Sequence, residues 1–554
     1  FTDHHDFVLV GYRGVDGSSR LDCPEVAHAR ASSGDLLGAA SLAAVTKAYK
    51  ACATRLRHHG VDLAGYSLPE RVDDLELARR DLGYGKIDLV SESAGTRTAM
   101  IYAWRYPQSI NRSVLVSANP PGHYLFDAKT TGEQIRRYAA LCAQASDCRA
   151  RTTDLAASVH RAYERIPSHW WFLPIQKGNV QVAAFFGLNN ATSDGGGPIA
   201  SPRTLDTLLA IDKGDRAGAW LFSTFAAIAF PYGQVWGDVA SVGRSDAAFA
   251  KRYFASHGDR GSVIGAPGTD LLWAGGGLLN AWPANPDENE YTHVQNSRIE
   301  TLLVGGALDF ETPPQNATRE LLPHLPNGHQ VVLPNLGHAD DFWAYEPAAS
   351  TRLIDRFLDR GQVDSSLYTT HPLDFTPSFT HGQVAEIVLG IFLGFAALTV
   401  LSLLWIARRL RRRATFGWKG SLAARSLLPI VLGFGGWCLG ALLALTLLPT
   451  VPPIGAAVAV LSIAPPVALA IYAGWFRSAS SSYLAGFAAL AAAALGAWLG
   501  FHVPHAPGIG VVTAIIGATL AANLGLIVLD VARPDAIEGT ELRSPHMETL
   551  PGPA

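Results

Sequence analysis

Charge is scarce in this chain. Only 16% of its 554 residues are Asp, Glu, Lys or Arg, while 48% are hydrophobic, an unusual balance for a soluble enzyme. The deficit is uneven. Residues up to about 380 read as ordinary globular sequence, whereas 384–531 are dominated by Ala, Leu, Ile, Val and Gly. The net charge of −3 favours no class of charged partner, and no basic tract suits nucleic acid. Cysteine is sparse as well, with five in all and no CxxC or Cys/His spacing of the kind that holds zinc. No metal and no cofactor is therefore expected.

Four of the cysteines, Cys23, Cys52, Cys142 and Cys148, fall in the globular part, and Cys438 lies in an apolar run. An even number outside the apolar region suggests two disulfides, for which sequence permits three pairings. Cys142 and Cys148 are close enough to clip one local loop, which would leave Cys23 with Cys52. Four buried free thiols are the alternative.

The stretch Leu89-Val90-Ser91-Glu92-Ser93-Ala94-Gly95-Thr96 organises the rest. Lys86 to Val90 reads as a short buried strand and Thr96 to Arg105 as a helix. Between them stands small-x-Ser-x-Gly, the pattern of a nucleophile elbow with Ser91 in the first small position. A sharp strand-to-helix turn would expose Ser93 Oγ, and bulky side chains at Ser91 or Gly95 would be expected to collide with neighbouring backbone. The helix that follows would aim its free N–H groups at the turn, with Ala94 N–H as an oxyanion donor.

A serine nucleophile needs a base and an orienting acid, which in such folds follow in the order Ser, acid, His. Ile299 to Gly306 reads as a strand running into Ala307-Leu308-Asp309-Phe310-Glu311-Thr312-Pro313-Pro314. Gln330 to Pro334 reads as another, ending in Asn335-Leu336-Gly337-His338. Asp309 and His338 each sit just past the C-terminal end of a strand, the edge where open α/β sheets carry their chemistry.

Arg13-Gly14 with Gly17-Ser18-Ser19, Leu21-Asp22-Cys23-Pro24, the elbow, Tyr106-Pro107, Gly305 to Pro314 and Gly337-His338 together resemble the proline iminopeptidase and tripeptidyl aminopeptidase family of α/β-hydrolases. The resemblance runs from the first residues to about Arg360, with a variable middle. It implies an α/β-hydrolase fold with Ser93 as nucleophile, Asp309 as acid and His338 as base. It also implies a cap carboxylate that holds the substrate's amine, with Glu164, Asp206, Asp270, Glu288 and Glu290 as candidates beside Glu92 at the elbow. The chain departs from the family at the elbow, where Glu92 and Ala94 look more like an esterase. In the family Phe7-Val8-Leu9-Val10 would be the fourth strand. The three strands before it, and the loop that gives a second oxyanion N–H, are absent from the sequence. A mostly parallel sheet without its first strands is thus expected, in a truncated form of a longer chain; a shortened, inactive homologue is the alternative.

Leu36 to Arg57 has helical periodicity, with Leu36, Leu37, Ala40, Leu42, Val45, Ala48 and Ala51 on its apolar face. Glu70 to Leu82 reads as a helix stopped by Gly83, and Ser113 to Val116 as a strand. Helical segments then predominate to about Glu290, the signature of a cap inserted in a hydrolase. Trp170, Trp171, Phe172, Trp220, Trp236 and Trp273 would line its inner face or, more commonly for such residues, fill its core. Asp340 and Asp341 would tune the His338 imidazole or face water.

Val384 to Ala407 is long and apolar enough to span a bilayer, with Glu386 at its start. Arg408, Arg409, Arg411, Arg412 and Arg413 follow at once, which marks that end as cytoplasmic and the hydrolase as outside. Further spans fit Leu427–Leu448, Ile454–Trp475, Tyr483–Phe501 and Gly508–Val531. Arg477 falls inside, while the loops Pro449–Pro453 and His502–Pro507 lack Lys and Arg. Pro465-Pro466 could break a span, and Gly433, Gly435, Gly436 and Gly440 suit close helix packing. No Asp, Glu, Lys or Arg falls mid-span after Glu386, which speaks for an anchor against an ion pathway.

The expected organisation is a hydrolase core in 1–121 and 291–360, a cap in 122–290, a linker in 361–383, about five spans in 384–531 and a cytoplasmic tail in 532–554. The expected function is a membrane-anchored, extracytoplasmic (periplasmic or extracellular) serine hydrolase acting on short peptides as an aminopeptidase. An esterase, an inactive binding or sensor module and a transporter are the alternatives. The expected partners are a short peptide or ester substrate and the lipid bilayer.

Overall fold

The computed structural model describes residues 5–17, 20–256, 263–370, 372–412, 416–448, 451–475, 483–503 and 507–532. It contains two compact units, Phe1–Glu386 and Ile387–Ala554.

The first unit is built on four parallel strands in the order β1 (Ile87–Glu92), β2 (Ile110–Val116), β3 (Glu300–Gly306) and β4 (Gly328–Leu333). Side chains alternate across the inner strands, as the two-residue period requires. Val114, Val116, Leu302 and Val304 pack on Leu353, Ile354 and Phe357 of helix Pro347–Arg360. Leu115 and Leu303 face the other way, toward Ala99 and Met100 of helix Gly95–Arg105 and toward Ala317 and Leu321. Burying side chains of this size contributes about 1.5–3 kcal/mol each, which makes β2 and β3 the centre of the unit.

Two of the expected strands depart from this pattern. The elbow strand β1 is an edge, not a buried strand, and Val90 is exposed. Phe7 to Val10 lies outside the strands, with Leu9 84% exposed. No strand flanks β1 on its outer side among the described residues.

Helix Ala39–His58 buries Val45, Ala48, Tyr49, Cys52 and Leu56, whereas Ala40 and Ala51 are exposed. The buried stripe is thus rotated from the expected one because this helix packs against cap aromatics, including Trp236, Trp273 and Trp282. Helix Leu68–Asp81 starts at Ser67, whose side chain accepts from Glu70 N–H, and Gly83 follows with φ +79°. Asp127 and Asp154 cap helices Ala128–Gln144 and Leu155–Glu164 in the same way.

Helices also dominate the segment from Ala128 to Ala281, broken by a short hairpin pairing His169–Trp170 with Leu173–Pro174. Trp170, Trp220, Trp236 and Trp273 are core residues. Trp171 and Phe172 instead stand out at the hairpin tip, with Trp171 70% exposed.

The second unit is helical, and among the described residues five helices are long and apolar enough to cross a membrane: His381–Arg411, Leu428–Leu447, Ala456–Trp475, Tyr483–His502 and Ile509–Val531. A shorter helix, Trp418–Ser426, precedes the second of them. Pro465 and Pro466 lie inside helix Ala456–Trp475 and do not end it. Arg477, parts of the loops expected at 449–453 and 502–507, and the tail beyond Ala532 lie outside the described residues.

Cys23 bonds Cys52, and Cys142 bonds Cys148, leaving Cys438 as a buried free thiol. The first bridge closes a separation of 29 residues and the second one of 6. By loop-closure entropy the former stabilises by about 3–4 kcal/mol and the latter by about 2. Replacing both Cys23 and Cys52 by Ala should therefore lower the thermal midpoint of the intact chain more than replacing Cys142 and Cys148. A thermal unfolding scan of the two double variants under non-reducing conditions checks the order.

Candidate active site

Ser93 sits where β1 turns into helix Gly95–Arg105, with φ +49°. That left-handed conformation costs a non-glycine residue about 1–2 kcal/mol. It is held because Ser93 N–H donates to Val116 O at 2.9 Å and Thr96 N–H returns to Ser93 O at 3.0 Å. Unlike the helices opened by Ser67, Asp127 and Asp154, this one has no side-chain cap. Ala94 occupies the N-cap position, is exposed, and its N–H has no protein acceptor among the described residues. Free N–H groups at a helix start favour an anion.

The space beside the turn differs from expectation. A Cβ at Gly95 would meet only Tyr12 Oη at 3.9 Å, an ordinary contact. The edge position of β1 leaves the turn uncrowded, so smallness at Gly95 is not enforced by backbone here.

The three residues singled out from separate loops meet in one relay. His338 Nε2 lies 2.8 Å from Ser93 Oγ, and His338 Nδ1 lies 2.9 Å from Asp309 Oδ2. Asp309 is fully buried at the end of β3 and accepts from Glu311 N–H, Thr312 N–H and Thr312 Oγ1. Burial opposes ionisation, but His338 and the two Thr312 donors outweigh it and hold the carboxyl below the usual range. An acceptor fixed on Nδ1 leaves Nε2 to face the serine, the tautomer a base requires.

Close packing places His338. A Cβ on Gly306 would stand 2.0 Å from Gly337 O, and one on Gly337 would stand 2.1 Å from Asn189 O. His338 N–H donates to Asn189 O at 2.8 Å. Asp341 does not face the imidazole; it accepts from the N–H groups of Gly337, Ala191 and Thr192 and from Thr192 Oγ1. Asp340 accepts from Asn190 Nδ2 and acts on the imidazole through its charge.

None of the cap carboxylates considered from sequence is hydrogen-bonded to the relay. Asp206 pairs with Arg151, Glu288 with Arg244 and Glu290 with Arg105, while Glu164 is exposed at a helix end. Burial raises Asp270 to about 6, and it has no ion-pair partner among the described residues. Glu92 accepts from Trp343 Nε1 at 2.6 Å. The carboxylate at the relay is instead Glu311, whose Oε2 lies 3.6 Å from His338 Nε2 and accepts from Asn189 Nδ2 at 2.8 Å. No local pattern marks it, although it lies two residues beyond Asp309 in the same loop. Among the described residues no group of three or more His, Cys, Asp or Glu is arranged to hold a metal.

Burial alone would lower the His338 pKa, but Asp309 and Glu311, with the Asp309 hydrogen bond and Asp340, push it up to about 10. Only the neutral ring accepts a proton, and the raised value favours the protonated ring in the unliganded site. For a neutral ester hydrolysed through this relay, kcat/KM should rise about tenfold per pH unit through the neutral range and level off in the alkaline. A pH–rate profile at low substrate concentration checks the limb.

Solved structures similar to the chain include Est816, described as an N-acyl homoserine lactone degrading enzyme (17% identity, 53% of this chain and 76% of that one, TM-score 0.25). A thermophilic esterase from Thermogutta terrifontis (14%, 53% and 72%, TM-score 0.22) and an epoxide hydrolase from an endophytic Streptomyces (16%, 54% and 76%, TM-score 0.24) are others. No curated protein matches the chain in sequence. The family model of the α/β-hydrolase fold matches residues 1–344, well over half of the sequence. This chain belongs to the α/β-hydrolase fold family.

Proposed function

We propose that the protein is a membrane-anchored, extracytoplasmic serine hydrolase that releases N-terminal residues from short peptides. The relay of Ser93, His338 and Asp309 at hydrogen-bond distances, with the serine in a strained turn, carries this reading. Ser93 Oγ attacks the acyl carbon while its proton passes to His338 Nε2. The proton then goes to the departing amine, leaving an acyl-enzyme. Water repeats the sequence and restores Ser93. Asp309 orients the ring, and Ala94 N–H stabilises the oxyanion.

The motifs shared with proline iminopeptidases and tripeptidyl aminopeptidases support a peptide substrate. Esters are the second reading, favoured by Glu92 and Ala94 flanking the serine. Five apolar helices support anchoring in a lipid bilayer. The arginines at the C-terminal end of the first of them and the two disulfides both support a hydrolase outside the cytoplasm.

The full chain should cleave aminoacyl and short-peptide amides bearing a free amine, and N-blocked analogues should be poor substrates. Ser93→Ala should lose at least ~10³-fold in kcat. Cleavage of esters alone would replace the peptidase reading, and cleavage of neither class would end the hydrolase one.

A further inference from the structure

Glu311 is the one feature of the relay for which the mechanism above has no task. Its carboxylate approaches the same nitrogen, His338 Nε2, that must face Ser93. Apart from His338, no cation lies within ion-pair distance of it among the described residues, and its side chain keeps 28% of its surface open. Burial raises its own pKa, while His338 opposes that rise. An acid beside a nucleophile serves neither oxyanion formation nor proton transfer from serine, because negative charge there opposes the first and holds the base protonated against the second.

Resting on the peptidase reading, we propose that Glu311 receives the ammonium group of the substrate's first residue and that this contact frees His338 to act as base. The geometry sets the reach. The amine of a residue whose own carbonyl is attacked is only two bonds from that carbonyl, and Glu311 Oε2 and Ser93 Oγ approach the same nitrogen, at 3.6 Å and 2.8 Å from His338 Nε2. An amine one residue further back would lie about 3.3–3.6 Å more distant per residue along an extended chain. The site therefore selects release of single residues over dipeptides or tripeptides.

The same contact couples recognition to chemistry. In the unliganded site the carboxylates facing His338 are Asp309, Glu311 and Asp340, while Asp341 is held by the backbone of the neighbouring loops. Asp309 must stay paired with Nδ1 for catalysis. Glu311 is the partner a cation can take away. Once an ammonium neutralises it, the imidazole loses part of the field that kept it protonated and can accept the Ser93 proton. A neutral ester leaves that field in place.

Glu311→Gln keeps the shape and a carbonyl oxygen for Asn189 Nδ2, so the fold should hold; Glu311→Asp keeps the charge. Two readouts are taken on the full chain and both variants, with thermal midpoints alongside. The first is the rate at which a neutral fluorophosphonate labels Ser93 as a function of pH, which needs no natural substrate. The second is kcat and KM on an aminoacyl amide, its N-acetyl analogue, a tripeptidyl amide and a simple ester. In Glu311→Gln the acid limb of labelling should fall by about one pH unit or more, and ester turnover at pH 7 should rise. KM for the aminoacyl amide should rise at least ~10-fold, since a charged partner has been removed. Glu311→Asp should retain the preference for a free amine, and the tripeptidyl amide should be shortened one residue at a time. An unmoved limb or an unmoved KM in a folded Gln variant overturns the proposal and leaves the peptidase reading standing. Release of an intact tripeptide does the same. A native protein that neither labels nor hydrolyses any of these compounds overturns both.

Discussion

Gly306 and Gly337 allow the end of one strand, the loop carrying His338 and the segment around Asn189 to occupy almost the same place. Each would put a methyl group within about 2 Å of a backbone oxygen if it were alanine. That approach brings the His338 N–H to Asn189 O and lets Asp341 gather the N–H groups of Gly337, Ala191 and Thr192. The imidazole is thereby aimed from behind, and the buried Asp309 at the end of β3 meets Nδ1 without having to move. The positions of His338 and Asp309 follow from packing of main chain on main chain more than from any property of the two side chains.

What the sequence reveals of this arrangement is the part encoded by short-range pattern. The strands ending at Gly306 and Leu333, the strand-turn-helix around Ser93 and the order Ser, Asp, His are all local features, and each is visible as apolar periodicity closed by small residues. The even number of cysteines outside the apolar region and the long apolar runs are equally direct. What stays hidden depends on distant partners. Phe7 to Val10 has the composition of a core strand, yet the character of a strand is decided by its neighbours, and β1 is an edge. Ala40 and Ala51 have the right spacing for the buried stripe of their helix, but the cap aromatics draw in Tyr49, Cys52 and Leu56 instead. Glu311 escaped notice because a charged loop residue is ordinarily solvated; only the fold reveals that it faces the ring.

The apolar helices obey a different rule. For helices that cross a bilayer little is gained by merely hiding side chains, since lipid is as hydrophobic as leucine, and association follows where backbones can come close. Gly435 lies against Phe395 O, and Gly436 and Gly440 lie against Ser462. Gly496 faces Gly517 and Gly500 faces Thr513 in the last two helices, a contact the sequence pattern had not suggested. Polar links accompany these approaches: Arg425 pairs with Asn523 at 3.0 Å and Trp475 with Asp530 at 2.7 Å.

The segment from Asn189 to Thr192 has a mechanical consequence. It belongs to the helical insertion, yet it is stitched to the loop of His338, to Asp340 and Asp341, and through Asn189 to Glu311. The segment cannot shift without pulling on the loop that aims the imidazole at Ser93. The seam is a weld. The side of the site next to the imidazole therefore keeps a shape fixed by main-chain hydrogen bonds before anything binds.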